Sequence, residues 1–186
     1  MAFRSTWLRS LRDILVDGGD DRQKLVTMAF GHHKIHTEES FVAQVSNTVA
    51  TADNSLTMYF KSPDSTIRIH LVPGVSADNE GDFELRESAT VSLSGTVITI
   101  FNRDRNSSEV STVLVRDTPT ITASGTQLAL TRIGSTGFKE SAGGSSAGRR
   151  EWLLKQGTVY LMRFTAENND TEVTIEADWY EANRNE

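Results

Sequence analysis

The chain has 186 residues, of which 37% are hydrophobic and 24% charged, a composition typical of a folded protein and not of a disordered or fibrous one. It contains no cysteine, which excludes disulfides and thiolate metal sites. The net charge of −6 argues against a general nucleic-acid binder, which needs a basic surface to neutralise phosphates.

The first segment predicts an amphipathic helix over residues 3–16, because its apolar residues recur at spacings of three and four. The sequence Gly-Gly-Asp-Asp then ends the helix and forms a hinge. We therefore divide the chain into an arm with its hinge, residues 1–24, and a body, residues 25–186. A helix this short is marginal alone in water, so its apolar face must dock on the body or on another subunit. The residues expected to make this contact are Phe3, Trp7, Leu11 and Leu15.

Three histidines follow, within the sequence AFGHHKIHTEES. On a helix, His32 and His36 would share a face with the spacing of a zinc protease, but His33 stands where that site needs a glutamate. Because Gly31 lies inside the segment and alternating runs surround it, we expect a strand, on which His32 and His36 are about 13 Å apart. One ion cannot bridge that distance. We therefore expect histidines that hydrogen-bond a sheet edge, and neither a metal nor a cofactor.

The body is predicted to consist of about ten short antiparallel strands, because apolar residues alternate with polar ones between turn-rich loops. This pattern favours a β-sandwich, and the jelly roll is the commonest form at this length. The alternating apolar residues are Phe41, Ala43 and Val45; Leu56, Met58 and Phe60; Ile67, Ile69 and Leu71; Phe83 and Leu85; Val91 and Leu93; Val97 to Phe101; Val113 and Val115; Leu128 and Leu130.

Two features near the C-terminal end complete the predicted architecture. The runs that flank residues 168–170 predict a hairpin, whose last strand turns Trp179 inward and Glu176 and Asp178 outward. Residues 134–150 contain nine glycines and serines among seventeen positions, which predicts a long flexible loop.

The sequence gives little support for an enzyme. It has no G-x-S-x-G motif, and the glycine-rich sequence SAGGSSAGRR lacks the G-K-[ST] ending of a phosphate-binding loop. Acid pairs such as Asp82 and Glu84 are expected on solvated strand faces, and His70 is expected at the surface.

Aromatic side chains leave a carbohydrate-binding alternative open. Trp152, Tyr160, Trp179 and Tyr180 could form a sugar-binding platform, although the tryptophans fit core positions and Tyr180 is the better surface candidate. In the sequence FNRDRNSS, Arg103 and Arg105 are expected to fix a turn or to contact a partner.

Four stretches, HHKIHTEESFVA, TIRIHLV, FNRDRNSS and EWLLKQGTVYLMRFTAENN with the later ADWYE, together resemble the capsid decoration, or cement, proteins of tailed bacteriophages. The resemblance covers roughly residues 28–181. It implies a β-rich, non-enzymatic virion protein that is made in the host cytoplasm and stabilises the capsid surface, as a dimer or trimer that bridges major capsid protein subunits. Neither nucleic acid nor membrane is expected as a partner. Contacts with acidic patches of the capsid lattice are expected from Arg103, Arg105, Arg149 and Arg150.

The alternative is a receptor- or carbohydrate-binding module of a tail fibre or spike, with a glycan as its partner.

Overall fold

The computed structural model describes residues 15–16, 24–25, 30–93, 95–133, 140–142 and 151–183. The chain divides into two compact units, residues 1–33 and 34–186, and its described part is nearly all β. In the first unit, β1 (Leu15–Val16) pairs antiparallel with β2 (Lys24–Leu25). The helix predicted through Val16 is therefore wrong at its last two residues, which pair with another segment instead. The other predicted contact residues of the arm, Phe3, Trp7 and Leu11, lie outside the described residues.

The histidine segment forms helix α1 (Phe30–His36), so the strand predicted there is wrong. The helix ends in a hydrogen-bonded cap: the Glu39 N–H donates to Lys34 O and the Glu38 N–H donates to Ile35 O. Glu38 adopts the left-handed conformation that this cap requires, with φ of 64°. The sequence TEES therefore ends a helix, and the alternation that predicts a strand begins only at Ser40.

Fourteen further strands follow in the described part of the second unit. They are β3 (Ser40–Val49), β4 (Ser55–Lys61), β5 (Ile67–Ala77), β6 (Gly81–Glu87), β7 (Thr90–Leu93), β8 (Thr96–Val97), β9 (Phe101–Asn102), β10 (Leu114–Asp117), β11 (Thr120–Ala123), β12 (Thr126–Ile133), β13 (Glu140–Ala142), β14 (Trp152–Leu153), β15 (Val159–Ala166) and β16 (Thr171–Asn183).

Twelve of these strands build two antiparallel sheets. The front sheet has the order β13-β5-β16-β3-β9, with β14 also paired to β5. The back sheet has the order β12-β6-β15-β4-β10-β8. Consecutive long strands alternate between the sheets, since β3 and β5 lie in the front sheet and β4 and β6 in the back sheet.

Side chains from both sheets form one hydrophobic core. Trp179 of β16 is only 2% exposed, and its ring meets the ring of Phe60 of β4 edge-on at 5.2 Å between centroids. The predicted core position of Trp179 is thus confirmed, and Trp152 packs half-buried against the same core. Two antiparallel sheets that bury their apolar faces against each other confirm the all-β part of the prediction.

A two-stranded ribbon of β7 and β11 covers part of the outer face of the back sheet. Val91 and Ile121 of the ribbon pack on a second buried cluster that contains Tyr59 and Leu161. After the ribbon the chain turns at Gly125, which has φ of 68°, and a Cβ atom there would lie 2.1 Å from Glu87 O. Only glycine fits this return to β12.

The hairpin predicted across residues 168–170 is wrong. β15 pairs with β4 and β6 in the back sheet, whereas β16 pairs with β3 and β5 in the front sheet. The chain therefore crosses from one sheet to the other at this turn. β15 and β16 each pair with two strands of their own sheet. They therefore do not pair with each other, as the two strands of a hairpin do.

Two other predicted segments also differ. The run from Val97 to Phe101 is not one strand, because β8 joins the back sheet, β9 joins the front sheet and residues 98–100 connect them. Within the predicted flexible loop 134–150, residues 140–142 form β13, which pairs with β5. Residues 134–139 and 143–150, including Arg149 and Arg150, lie outside the described residues.

Candidate functional site

Residues 103–113 form an irregular loop between β9 and β10, which is fixed at its start by Asn102. This side chain is 8% exposed; its Nδ2 donates to Glu38 O at 2.7 Å, and its Oδ1 accepts from the Asp104 N–H at 2.9 Å. The Asp104 carboxylate repeats the pattern by accepting from the Asn106 N–H at 2.9 Å. The sequence N-R-D-R-N thus forms two successive turns held by their own side chains.

The far end of the loop is held by Glu181 of β16, a carboxylate that is 7% exposed. It accepts hydrogen bonds from Ser111 Oγ at 2.6 Å, from the Thr112 N–H at 2.9 Å and from Thr112 Oγ1 at 2.7 Å. A buried carboxylate needs such donors to replace its hydration. Trp179 Nε1 also donates to Ser111 Oγ, at 3.3 Å, which links the loop to the core.

This fixed loop exposes apolar side chains to solvent. Val110 is 81% exposed, and Phe101 at the start of the loop is 48% exposed. The guanidinium of Arg105 lies 5.1 Å from the centre of the Phe101 ring, within the range of a cation–π contact. A loop held from beneath loses little conformational entropy on binding, which favours a docking role.

Two open grooves meet at Val110. One, with a volume of about 420 Å³, is lined by the acidic residues Glu38, Glu39, Glu109 and Glu181 together with Phe41. The other, of about 210 Å³, has the apolar residues Phe41, Ile98 and Ile100 along its wall. We call Val110 and these two grooves the loop surface; it offers a partner one acidic and one apolar recess.

Two of the four predicted contact arginines, Arg103 and Arg105, lie in the loop that carries Val110. Arg103 Nη1 donates to Asp178 Oδ1 at 3.0 Å, and Arg105 Nη1 donates to Asn102 O at 3.4 Å. Both arginines therefore hold the loop, which is the first of the two roles expected from the sequence. A contact between them and a partner stays a prediction.

Several predicted surface side chains are more enclosed than expected. Tyr180 is 7% exposed, so its predicted surface position is wrong. Its hydroxyl donates to Glu151 Oε1 at 2.6 Å, and its ring stacks on His70 at 4.4 Å between centroids. The side chain of His70 is 23% exposed, and its Nδ1 lies 2.6 Å from Glu151 Oε1. With Tyr160 and Trp179 also buried, these aromatic side chains are not arranged as an exposed sugar-binding platform.

The expected solvation of the acid pair in β6 is right for Asp82 but wrong for Glu84. The Glu84 side chain is 11% exposed and lies among Arg86 Nε at 2.9 Å and Arg163 Nη2 at 2.5 Å. Its hydrogen bond from Arg86 is the main reason that the pKa of Glu84 is lowered, despite its burial. Arg163 lies directly opposite Glu84 in the register of β15 and β6, a pairing that sequence alone does not provide.

The three histidines, His32, His33 and His36, lie on α1. Among the described residues, no group of three or more His, Asp or Glu side chains is arranged to hold a metal ion. No helix in the same part of the chain is long and apolar enough to cross a membrane.

Sequence reasoning missed Val110 and Glu181 as parts of the loop surface. A usable signal was present for Val110, because it is a lone apolar residue within the polar sequence SSEVST. For Glu181 there was none, since its hydrogen-bond partners lie about 70 residues away in sequence. Comparisons of the chain with known protein families, curated proteins and solved structures find no match.

Proposed function

We propose that this protein decorates and stabilises the capsid of a tailed bacteriophage by bridging subunits of the major capsid protein. The observation that carries the proposal is the loop surface, in which buried Asn102 and Glu181 hold a loop that exposes Val110. This loop includes the FNRDRNSS sequence on which the resemblance to decoration proteins partly rests. A rigid apolar projection between two recesses suits docking on a protein surface.

The body is proposed to be a jelly roll. Eight of its strands form the orders β3-β16-β5-β13 in the front sheet and β4-β15-β6-β12 in the back sheet. This is the order expected when a long double hairpin of strands is wrapped into two sheets, and the fold occurs in viral capsid proteins and in lectins. A virion role is consistent with this architecture.

The arm is proposed to supply a second contact, through Phe3, Trp7, Leu11 and Leu15. Two separated contacts on a repeating lattice reinforce each other, because the second binds at a high effective concentration once the first is made. The glycan-binding alternative is less well supported, because a sugar platform needs exposed aromatic side chains and Tyr160, Trp179 and Tyr180 are buried.

The test measures binding of the purified protein to phage heads that lack it, produced by a phage from which its gene has been deleted. Val110→Asp places a charge on the exposed apolar projection, and we expect it to weaken binding at least about tenfold because that charge must be desolvated. The free energy of unfolding of the Val110→Asp protein should differ from that of the wild type by less than about 0.5 kcal/mol, since the side chain is exposed. Circular dichroism during heating checks this second expectation.

The matched control is Leu153→Asp, which introduces the same charge at another apolar residue, 51% exposed and outside the loop surface. This variant should bind heads as the wild type does. Failure of the wild type to bind such heads would overturn the proposed function. Equal binding of the Val110→Asp protein would overturn the role of the loop surface.

A further inference from the structure

The edge of the front sheet is open along most of β3. On one side, β16 pairs with β3 from Ser40 to Val49. On the other side, β9 pairs with Phe41 and Val42 alone. Within the part of the chain that the structure describes, no strand pairs with the seven residues 43–49 on that side.

The backbone groups of this open segment point away from the sheet at every second residue. Ser40 O accepts a hydrogen bond from the Arg103 N–H at 2.8 Å, on the side of β3 that faces away from β16. Because backbone groups alternate in direction along a strand, those of the other even-numbered residues point to this side as well. In the open segment these residues are Gln44, Ser46 and Thr48. The Thr48 N–H is already bonded to Asn47 Oδ1 at 2.8 Å, a local bond that a pairing strand could replace.

Among the described residues, this edge has none of the features that keep edge strands from pairing. The sequence AQVSNTV contains no charge and no proline, although the chain as a whole carries a net charge of −6. Natural edge strands are usually protected by lysine, proline, a bulge or a cover, because a bare edge is a template for another strand. This edge therefore has the properties of an interface.

We propose that a second copy of this chain pairs with this edge, antiparallel about a two-fold axis at Ser46. The open segment suits this symmetry, because three residues lie on each side of Ser46 between the end of β9 pairing and the end of β3. Ser46 then faces Ser46 of the partner subunit, and Gln44 faces Thr48 of the partner subunit. Six backbone hydrogen bonds form, and the two front sheets become one continuous sheet.

The side chains agree with this register. On the outer face, polar residues meet polar residues. On the other face, Ala43 lies opposite Val49 of the partner subunit, and Val45 lies opposite the exposed Asn47 of the partner subunit. The acidic strand β16 lies one strand further in on each copy. Its two copies are thus three strand spacings, about 14 Å, apart, beyond the screening length at physiological salt. A second copy of an acidic chain can approach here with little charge repulsion.

This inference does not rest on the proposed capsid role, and it can be tested on the isolated full-length chain. The measurement is sedimentation equilibrium over a range of protein concentrations. The wild type should form dimers and no larger closed assembly, because a two-fold contact is satisfied by two copies.

Ser46→Pro is the most direct test of the backbone pairing between subunits. The Ser46 N–H points away from β16, so proline removes no backbone bond within the subunit but removes both central backbone bonds between subunits. It also removes the contact of Ser46 Oγ with Thr174 Oγ1, a loss that the control variant below shares. We expect the dissociation constant of the dimer to rise about 30-fold. Ser46→Lys should act in the same direction by placing two like charges at the axis, and it serves if the proline variant folds poorly.

Thr174→Lys is the matched control. Thr174 Oγ1 lies 2.7 Å from Ser46 Oγ, so this change breaks the same hydroxyl pair and adds the same charge to the same face, one strand away from the edge. It should leave the dimer unchanged. A mixture of Ser46→Lys and Ser46→Glu proteins should recover dimers, because opposite charges then meet at the axis.

A monomeric wild type at about 100 µM would overturn the inference and leave this edge for a different chain. It would also be overturned by a dimer that withstands Ser46→Lys, since the contact must then lie elsewhere. Trimers would contradict it as well. None of these outcomes decides whether the protein binds capsids, which the Val110→Asp experiment tests separately.

Discussion

The outer faces of the two sheets arise from the same alternation of side chains, but among the described residues only the back sheet has a ribbon of strands packed on its outer face. On the back sheet, Leu161 is fully buried beneath the β7–β11 ribbon. On the front sheet, Leu153 of β14 is 51% exposed. Alternation thus predicts which residues share a face, whereas the covering of a face depends on where a later segment of the chain folds.

Acidic side chains follow the same division. On the covered face, Glu84 is paired with Arg86 and Arg163, and its pKa is lowered chiefly by the hydrogen bond from Arg86. On the open face, the pKa of Glu176 is raised, first by partial burial and then by repulsion from Asp178. The back sheet therefore stabilises its buried charge, and the front sheet carries a carboxylate that the fold disfavours.

The largest expected effect is the difference in stability between alanine variants of Leu161 and Leu153. Leu161→Ala should lower the free energy of unfolding by about 3 kcal/mol, because it leaves a cavity under the ribbon. Leu153→Ala should lower it by less than about 1 kcal/mol, since half of that side chain is already in water. Urea denaturation of both variants measures the difference. Equal effects would mean that the ribbon does not cover the back sheet in solution.

Glu84→Gln should have the next largest effect, a loss of about 2 kcal/mol at neutral pH, because two enclosed guanidinium groups lose their carboxylate. Glu84 has a lowered pKa in the fold, so its contribution is present above the unfolded pKa and lost as the pH falls through the folded pKa. The gap between wild type and variant should therefore narrow in acid.

Asp82→Asn is the control for this charge, because Asp82 lies on the same strand and face, with its side chain 42% exposed. Its effect should stay below about 0.5 kcal/mol at neutral pH. A Glu84→Gln effect as small as this, or one that is unchanged between pH 7 and pH 3, would contradict a stabilising role for the cluster.

The sequence predicted the features that depend on neighbouring residues. The alternation of apolar residues in 41–45, 56–60 and 67–71 located parts of β3, β4 and β5 and their inward side chains, because side-chain direction has a period of two along a strand. It also identified Trp179 as a core residue and the turn that contains Arg103 and Arg105. Each of these is a local property.

Features that depend on distant residues were missed. The turn at 168–170 has hairpin chemistry, yet β15 and β16 join different sheets because each finds neighbours on both sides elsewhere in the chain. Glu84 has the local pattern of a solvated acid, and only the register with Arg163 makes it part of an enclosed cluster. For α1, a seven-residue helix is too short for its periodicity to be separated from that of a strand.

The smallest expected effect is a gain in stability on the open face. The folded pKa of Glu176 lies above its unfolded value, so the protonated form is favoured by the fold and its contribution is lost as the pH rises through the folded pKa. At pH 7 the fold therefore holds a disfavoured charge, and Glu176→Gln should raise the free energy of unfolding by about 0.5 kcal/mol. The gain should vanish below about pH 4, where the carboxyl is protonated in both states.

Glu172→Gln, at an exposed position on the same strand and face, should give no such gain, and thermal unfolding at pH 7 and pH 3.5 separates the two variants. A loss of stability in Glu176→Gln at pH 7 would mean that this carboxylate has a partner that outweighs its burial, and the contrast between the two faces would then reduce to the covering of apolar side chains.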